Sequence, residues 1–193
     1  EFLQLYKRKI HEYDELVTGN IIFINRMKGV GFLSKEDAVS FGCTGPAGRG
    51  SGLSCDIRKL YPYAVYDKVQ FDEILETGCD SLARYMIRIR EMKQSIRIIE
   101  QLIDNIPEGD FQAKTKAVLK LPKGEFYTRV ETARGELGVY IVSEGGTTPY
   151  RIKFRSPGFS NLSALDHMAR GSKLGDLVAM MGTLDLVIPD IDR

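Results

Sequence analysis

The segment TGCDSLARYMIRIREMKQSIRIIEQLIDNI, Thr77 to Ile106, decides how the rest of the chain is read. Leu82, Tyr85, Met86, Ile89, Met92, Ile96, Ile99, Leu102, Ile103 and Ile106 recur at intervals of three and four, the spacing of one helix face. Pro107 and Gly109 punctuate its end. The helix is the longest the pattern offers, and its Met and Tyr stripe reads as core. Arg84, Arg88, Arg90 and Arg97 lie among Glu91, Glu100 and Asp104. Mixed charge of this kind reads as a solvated face rather than a phosphate or heme-propionate clamp.

Upstream, Phe2, Leu5, Tyr6, Ile10, Tyr13 and Leu16 give a second helical stripe over residues 2–16. A short apolar stretch, Ile21 to Ile24, follows. Ser34 is an N-cap with Asp37 in the first turn, opening a short helix that runs out at Gly42. Residues 42–52 hold five glycines in eleven positions, so the backbone there is permissive and can approach a neighbour closely. Neither G-x-G-x-x-G nor G-x-x-x-x-G-K-[ST] is present, so this reads as a structural loop feeding a short helix, Leu53 to Lys59, and not as a nucleotide cradle. Residues 61–72 are aromatic-rich and irregular.

Downstream of the linker at 107–123 the period changes to two. Phe126, Thr128 and Val130 alternate with polar residues, Arg134-Gly135 makes a turn, Leu137 to Val142 returns, and Tyr150 to Arg155 forms a third strand. This is a three-stranded antiparallel meander. Its basic residues Arg151, Lys153 and Arg155 face either solvent or an acidic partner. Ser156-Pro157-Gly158 breaks the sheet, and helical spacing returns with Leu162, Leu165, Met168, Leu174, Leu177, Val178 and Met181. The tail, Gly182 to Arg193, is too apolar to dangle in water and is expected to tuck into a core or an interface. The fold class is therefore α+β and mainly helical. A helical part with the Gly-rich loop spans 1–123, the sheet spans 124–156, and C-terminal helices with a buried tail span 157–193.

The 193 residues are 43% hydrophobic and 27% charged, enough apolar material for a real core. A net charge of +1 lacks the basic excess that nucleic-acid binding requires. Cys43, Cys55 and Cys79 are odd in number and show no C-x₂-C spacing; only His11 and His167 could add imidazole. No apolar run reaches membrane-spanning length. The start, without Met or a signal-peptide layout, reads as that of a fragment. There is no G-x-S-x-G or H-E-x-x-H motif, and Asp190 and Asp192 need a fold before their separation means anything.

Several ordered blocks carry a resemblance. They are Thr44-Gly45-Pro46 with Arg49-Gly50-Ser51-Gly52, Asp56-Ile57-Arg58-Lys59 with Tyr63 and Tyr66-Asp67, and Asp80 to Tyr85. Glu91-Met92 with Gln94-Ser95-Ile96, Gly135 to Tyr140, Pro149-Tyr150-Arg151, Pro157-Gly158-Phe159 and Gly182-Thr183-Leu184-Asp185 through Asp192-Arg193 complete the set. Together they resemble the C-terminal half of the quinone-site (D) subunit of respiratory complex I, the NADH:quinone oxidoreductase, across nearly the whole chain. Between Pro107 and Lys123 many family members carry a longer helical insertion, so the chain resembles a compact branch.

The resemblance implies a hydrogenase-large-subunit-like helical bundle portion and a quinone-reduction chamber. Asp185 would be a polar or proton-coupled element of the chamber, Val187 a wall and Arg193 an electrostatic anchor, against the plainer reading that all three serve tail docking. Arg49 and Arg58 would make inter-subunit or loop contacts. It also implies no metal and no cofactor held by this chain: the iron–sulfur cluster sits in the neighbouring polypeptide, and NADH is used elsewhere in the complex. The B and C subunits of complex I, the membrane arm and quinone would be partners, with the protein peripheral on the cytoplasmic or matrix face of the membrane. The fragment alone would be inactive, and neither His11 nor His167 takes the family's headgroup-ligand role. Nickel–iron hydrogenase large subunits are related, but Val187 and Asp190 stand where that family's tail cysteines would be, and a valine cannot ligate a metal. A hydrogenase-related enzyme and a non-redox scaffold keeping the fold are the alternatives.

Overall fold

The computed structural model describes residues 1–115 and 117–192. Helix α1 (Phe2–Tyr13) runs through a π-helical turn, Asp14–Thr18, into α2 (Ile21–Met27). Asn20 caps α2 by accepting from the Ile22 N–H at 2.9 Å. Helix α3 (Lys35–Ser40) starts as its sequence demands, with Ser34 Oγ accepting from the Asp37 N–H at 3.0 Å. Two short helices follow, α4 (Gly45–Arg49) and α5 (Ile57–Leu60). The Gly-rich stretch is therefore not a plain loop: its residues 45–49 are a buried helical turn, and the short helix expected at Leu53 to Lys59 forms at Ile57–Leu60.

Helix α6 (Ser81–Leu102) is the central element. It begins later than the periodicity predicts because Asp80 is extended and caps it, one carboxylate oxygen accepting from the Ala83 N–H (2.8 Å) and the other from the Gly29 N–H (2.7 Å). It buries Ser81, Ala83, Arg84, Ile87, Ile89, Ile96 and Ile98, more than one stripe can hold, because α1, α2, α4 and α9 (Leu174–Leu184) pack around it. The solvated reading of its arginines is half wrong for the same reason. Arg90 and Arg97 do lie on the surface, pairing with Glu76 and Asp72. Arg84 is fully buried and Arg88 largely so.

The sheet is the expected meander, β1 (Gly124–Thr132), β2 (Gly135–Ser143) and β3 (Arg151–Arg155), in order β1-β2-β3 and antiparallel throughout. Its turn abuts α4. Gly135 has φ +131° and Gly45 has φ +64°, and a Cβ on Gly45 would land on the Arg134 carbonyl. Thr44 Oγ1 accepts from the Glu136 N–H (3.1 Å) and from Arg155 (2.9 Å). Of the basic residues on β3, Arg155 is thus turned inward, while Arg151 and Lys153 are exposed.

Helices α7 (Pro157–Ser163), α8 (Leu165–Ala169) and α9 return the chain to the Gly-rich turn. Leu33, Ala38, Cys43, Ala47, Ala164, Met168, Met180 and Leu184 close the main core there. Burial ends at Leu184, so the tail is not buried as a whole. The last turn, α10 (Ile188–Ile191), leaves Ile188 71% exposed. It is docked by Asp190, which accepts from Ser156 Oγ (2.7 Å) and the Gly158 N–H (3.2 Å).

Gly45→Ala and Gly29→Ala separate backbone strain from steric contact, because Gly29 (φ +71°) has open space around its absent side chain. Gly29→Ala is expected to cost about 1–2 kcal/mol, the left-handed penalty alone. Gly45→Ala should cost a further ~1–3 kcal/mol from overpacking. Urea unfolding of the two variants checks the difference.

Candidate functional site

Arg49 ends α4 with 1% of its surface exposed. Its Nη2 meets Glu91 Oε1 of α6 at 2.6 Å, and its Nη1 donates to Glu131 Oε1 of β1 at 2.7 Å. Glu131 is held further: Oε2 accepts from the Ile57 N–H at 3.2 Å, and its own N–H donates to the Tyr63 hydroxyl at 3.1 Å. Burial opposes charge on every member. Arg49 is nonetheless held more firmly protonated than a free arginine, because Glu91 and Glu131 outweigh its desolvation. Both carboxyls are pushed up by burial, a shift that the pull of Arg49 only partly offsets. Next to them Arg58 clasps Asp56 with two hydrogen bonds, 2.9 and 2.7 Å, and lies over the Phe71 ring at 4.9 Å. Burial raises the Asp56 pKa, but the Arg58 contacts win and hold it below the ordinary value.

One turn before Glu91, Arg88 reaches the tail. Its Nη2 donates to the Thr183 carbonyl (3.1 Å), and its Nη1 donates to Asp185 Oδ2 (3.3 Å). Arg134, at the β1–β2 turn, approaches the same carboxylate at 3.4 Å and donates to the Asp185 carbonyl at 3.0 Å. Asp185 sits at φ 55°, in the left-handed region that aspartate tolerates, and so ends α9. Deeper still, Arg84 donates to the Gly31 carbonyl (2.8 Å), Ser81 Oγ (3.0 Å) and Thr183 Oγ1 (3.2 Å). Among the described residues it has no carboxylate in ion-pair contact, and burial pushes its pKa down to about 10.

Arg49, Arg58, Arg88, Glu91 and Glu131 line a cleft of about 510 Å³ together with Tyr6 of α1 and others, whereas Arg84, Arg134 and Asp185 lie outside its lining. The structure thus brings Arg49 and Arg58 to one wall. Asp185 is tied to that wall through Arg88. Val187 is extended and half-buried, and does not line the cleft. Arg193 lies outside the described residues. Neither His11 nor His167 lines the cleft; they lie at the surface beside Glu15 and Asp37. No grouping of three His, Cys, Asp or Glu suited to a metal occurs among the described residues. Sequence reasoning missed Arg88, Glu91, Glu131 and Arg134 as site residues. Arg84, Arg88 and Glu91 do stand at i, i+4 and i+7, a spacing that places them on one face of α6. The pairing with Glu131 left no local signal.

The fold and this site define a helical α+β protein whose polar groups gather at a charged cleft and an adjoining acidic tail. Residues 1–123 and 111–193 match the family described as respiratory-chain NADH dehydrogenase, 49 Kd subunit, and the chain belongs to it. Among similar proteins, the C/D subunit of NADH-quinone oxidoreductase from Bacteroides fragilis is 55% identical over the whole chain, which covers 36% of that protein. The D 2 subunit of the Solibacter usitatus oxidoreductase and the D subunit of the Desulfotalea psychrophila one are each 46% identical over the whole chain, which covers 52% of each. The chain spans about half the length of these two relatives and about a third of the C/D protein.

Arg49→Met leaves two buried carboxyls without their counter-charge and is expected to cost about 3–5 kcal/mol in unfolding free energy. The pH dependence has a definite sign. A carboxyl raised in the folded state binds more protons there than when unfolded. Its stabilisation is therefore full below the ordinary value of 4.5 and is lost as pH rises through the folded value. Glu91→Gln removes that slope, so its stability relative to the parent should improve as pH rises above 4.5, as measured by urea unfolding across the range.

Proposed function

We propose that this chain forms part of the wall of the quinone-reduction chamber in a proton-translocating NADH:quinone oxidoreductase. The observation that carries the reading is Asp185, held at the start of the tail between Arg88 and Arg134, in a member of the 49 Kd family. Quinone reduction adds two electrons and two protons to a hydrophobic ring system. A wall for it needs apolar surface, a positioned polar group that can hold a proton, and cations that tolerate transient negative charge on the ring. Asp185 retains 39% side-chain exposure, so its carboxyl is accessible at the surface even while paired. Val187 follows it as apolar wall, and Arg193 is assigned as electrostatic anchor.

Electrons reach the chamber from an iron–sulfur cluster in the neighbouring B subunit, and NADH is oxidised elsewhere in the complex. The helices belong to a bundle of the hydrogenase-large-subunit type whose metal site has been given up. In place of the second cysteine, Asp190 hydrogen-bonds Ser156 and Gly158. The B and C subunits and the membrane arm are the partners. Among the described residues no helix is long and apolar enough to cross a membrane. In this reading the protein is peripheral, on the cytoplasmic or matrix face. The chain alone turns nothing over.

Asp185→Asn and Val187→Trp in the full-length parent test the reading in assembled membranes. NADH:quinone reduction should fall about tenfold or more, the equivalent of losing one charge-assisted contact. NADH oxidation by an artificial acceptor that bypasses the chamber should stay unchanged. Unchanged quinone reduction in both variants would contradict the assignment.

A further inference from the structure

Charge around the cleft is unevenly shared. At the tail end two arginines, Arg88 and Arg134, face one carboxylate, Asp185. At the Arg49 end the ratio is reversed, with two carboxylates on one guanidinium at 2.6 and 2.7 Å. Arg58 is engaged by Asp56 through two short contacts and helps the two carboxylates only by attraction at longer range. The Glu91–Arg49–Glu131 cluster with both acids ionised would thus be a buried net negative charge, which low-dielectric surroundings disfavour strongly.

The two carboxyls are not equivalent. Glu131 accepts one hydrogen bond from Arg49 and another from the Ile57 N–H, donors that both favour the anion, and its side chain is 3% exposed. Glu91 has Arg49 as its only ion-pair partner among the described residues, and that contact falls outside hydrogen-bond alignment at Oε1. Its side chain is 20% exposed and borders the cleft. The charged and titratable groups facing it are Arg49 from α4, Arg58 from α5, Glu131 from β1 and Tyr6 from α1, with Arg88 one turn away on its own helix.

We propose that the Glu91–Arg49–Glu131 cluster is a proton-exchange site that holds one proton between its two carboxyls, with Glu91 as the group that carries it and exchanges it with the cleft. The step is a simple ionisation: the Glu91 carboxyl O–H breaks, the carboxylate keeps the electron pair beside Arg49, and the proton passes to water or an acceptor in the cleft. Burial lifts both carboxyls, in agreement with one remaining protonated above the ordinary glutamate range. The tail end, one helical turn away, carries the complementary positive excess. The proposal goes beyond the quinone reading and does not rest on it: silent Asp185→Asn and Val187→Trp variants would defeat that reading and leave this one standing.

Infrared difference spectra of the intact, full-length parent complex, recorded against pH with isotope-labelled glutamate, test the site without using activity. In the parent a protonated glutamate carbonyl band should persist above the pH range in which an ordinary glutamate ionises, and it should be lost in Glu91→Gln. In Glu91→Asp, recorded with isotope-labelled aspartate, a protonated aspartate carbonyl band should take its place and titrate at a shifted pH, which guards against a folding failure in the amide variant. In Glu131→Gln the glutamate band should move to lower pH, because Glu91 then has Arg49 to itself. Absence of the band from the parent would overturn the proposal. So would a band that Glu91→Gln leaves in place, whether it then proves to belong to Glu131 or to another residue.

Discussion

The guanidinium of Arg49 is the contact on which the architecture turns. It is buried beneath the cleft and joins three elements that lie far apart in sequence: its own short helix, α6 through Glu91 and the sheet through Glu131. Buried ion pairs are weak stabilisers, since desolvation cancels most of the attraction, and apolar replacements are often as stable. What they provide is geometry. A bidentate cation with two acids accepts few arrangements, so α4, α6 and β1 meet in one register and the cleft acquires a fixed wall.

The Gly-rich turn makes this possible. Gly45 and Gly135 let α4 and the β1–β2 turn touch at backbone distance, and only that approach brings Glu131 down to Arg49. Thr44 and Asn161 stitch the same contact from either side: the Thr44 N–H donates to Asn161 Oδ1 at 3.2 Å, and Asn161 donates to the Arg134 carbonyl at 3.3 Å. Arg134 in turn reaches Asp185. Packing at the turn, the charge cluster and the placement of the tail are therefore one connected problem, and the functional reading depends on all three.

Much of this was legible from sequence and some was not, for physical reasons. The meander was readable because apolar and polar residues alternate along β1 and β3 and a turn joins β1 to β2, and the Ser34 cap because capping is local chemistry. Helix α6 was readable as a helix but not as a central one. A single stripe predicts one buried face, whereas packing on several sides pulled Arg84 and Arg88 inward. The Gly-rich segment looked like a loop because glycine disfavours helix, a propensity overridden here by the close contact it permits. Glu131 gave no hint at all, since an acid in a strand acquires meaning only from a partner 82 positions away. The tail residues came from family resemblance. The structure places Asp185 beside Arg88, and both Asp185 and Val187 outside the cleft lining.

The central claim is that the tail borders the space in which quinone is reduced. Photolabelling of the intact parent complex with a photoreactive quinone, followed by peptide mapping, tests it most directly. Label on the segment from Thr183 to Asp192, displaced by excess unmodified quinone, is the expected result. Label recovered elsewhere in the complex, with none on this segment, would contradict it.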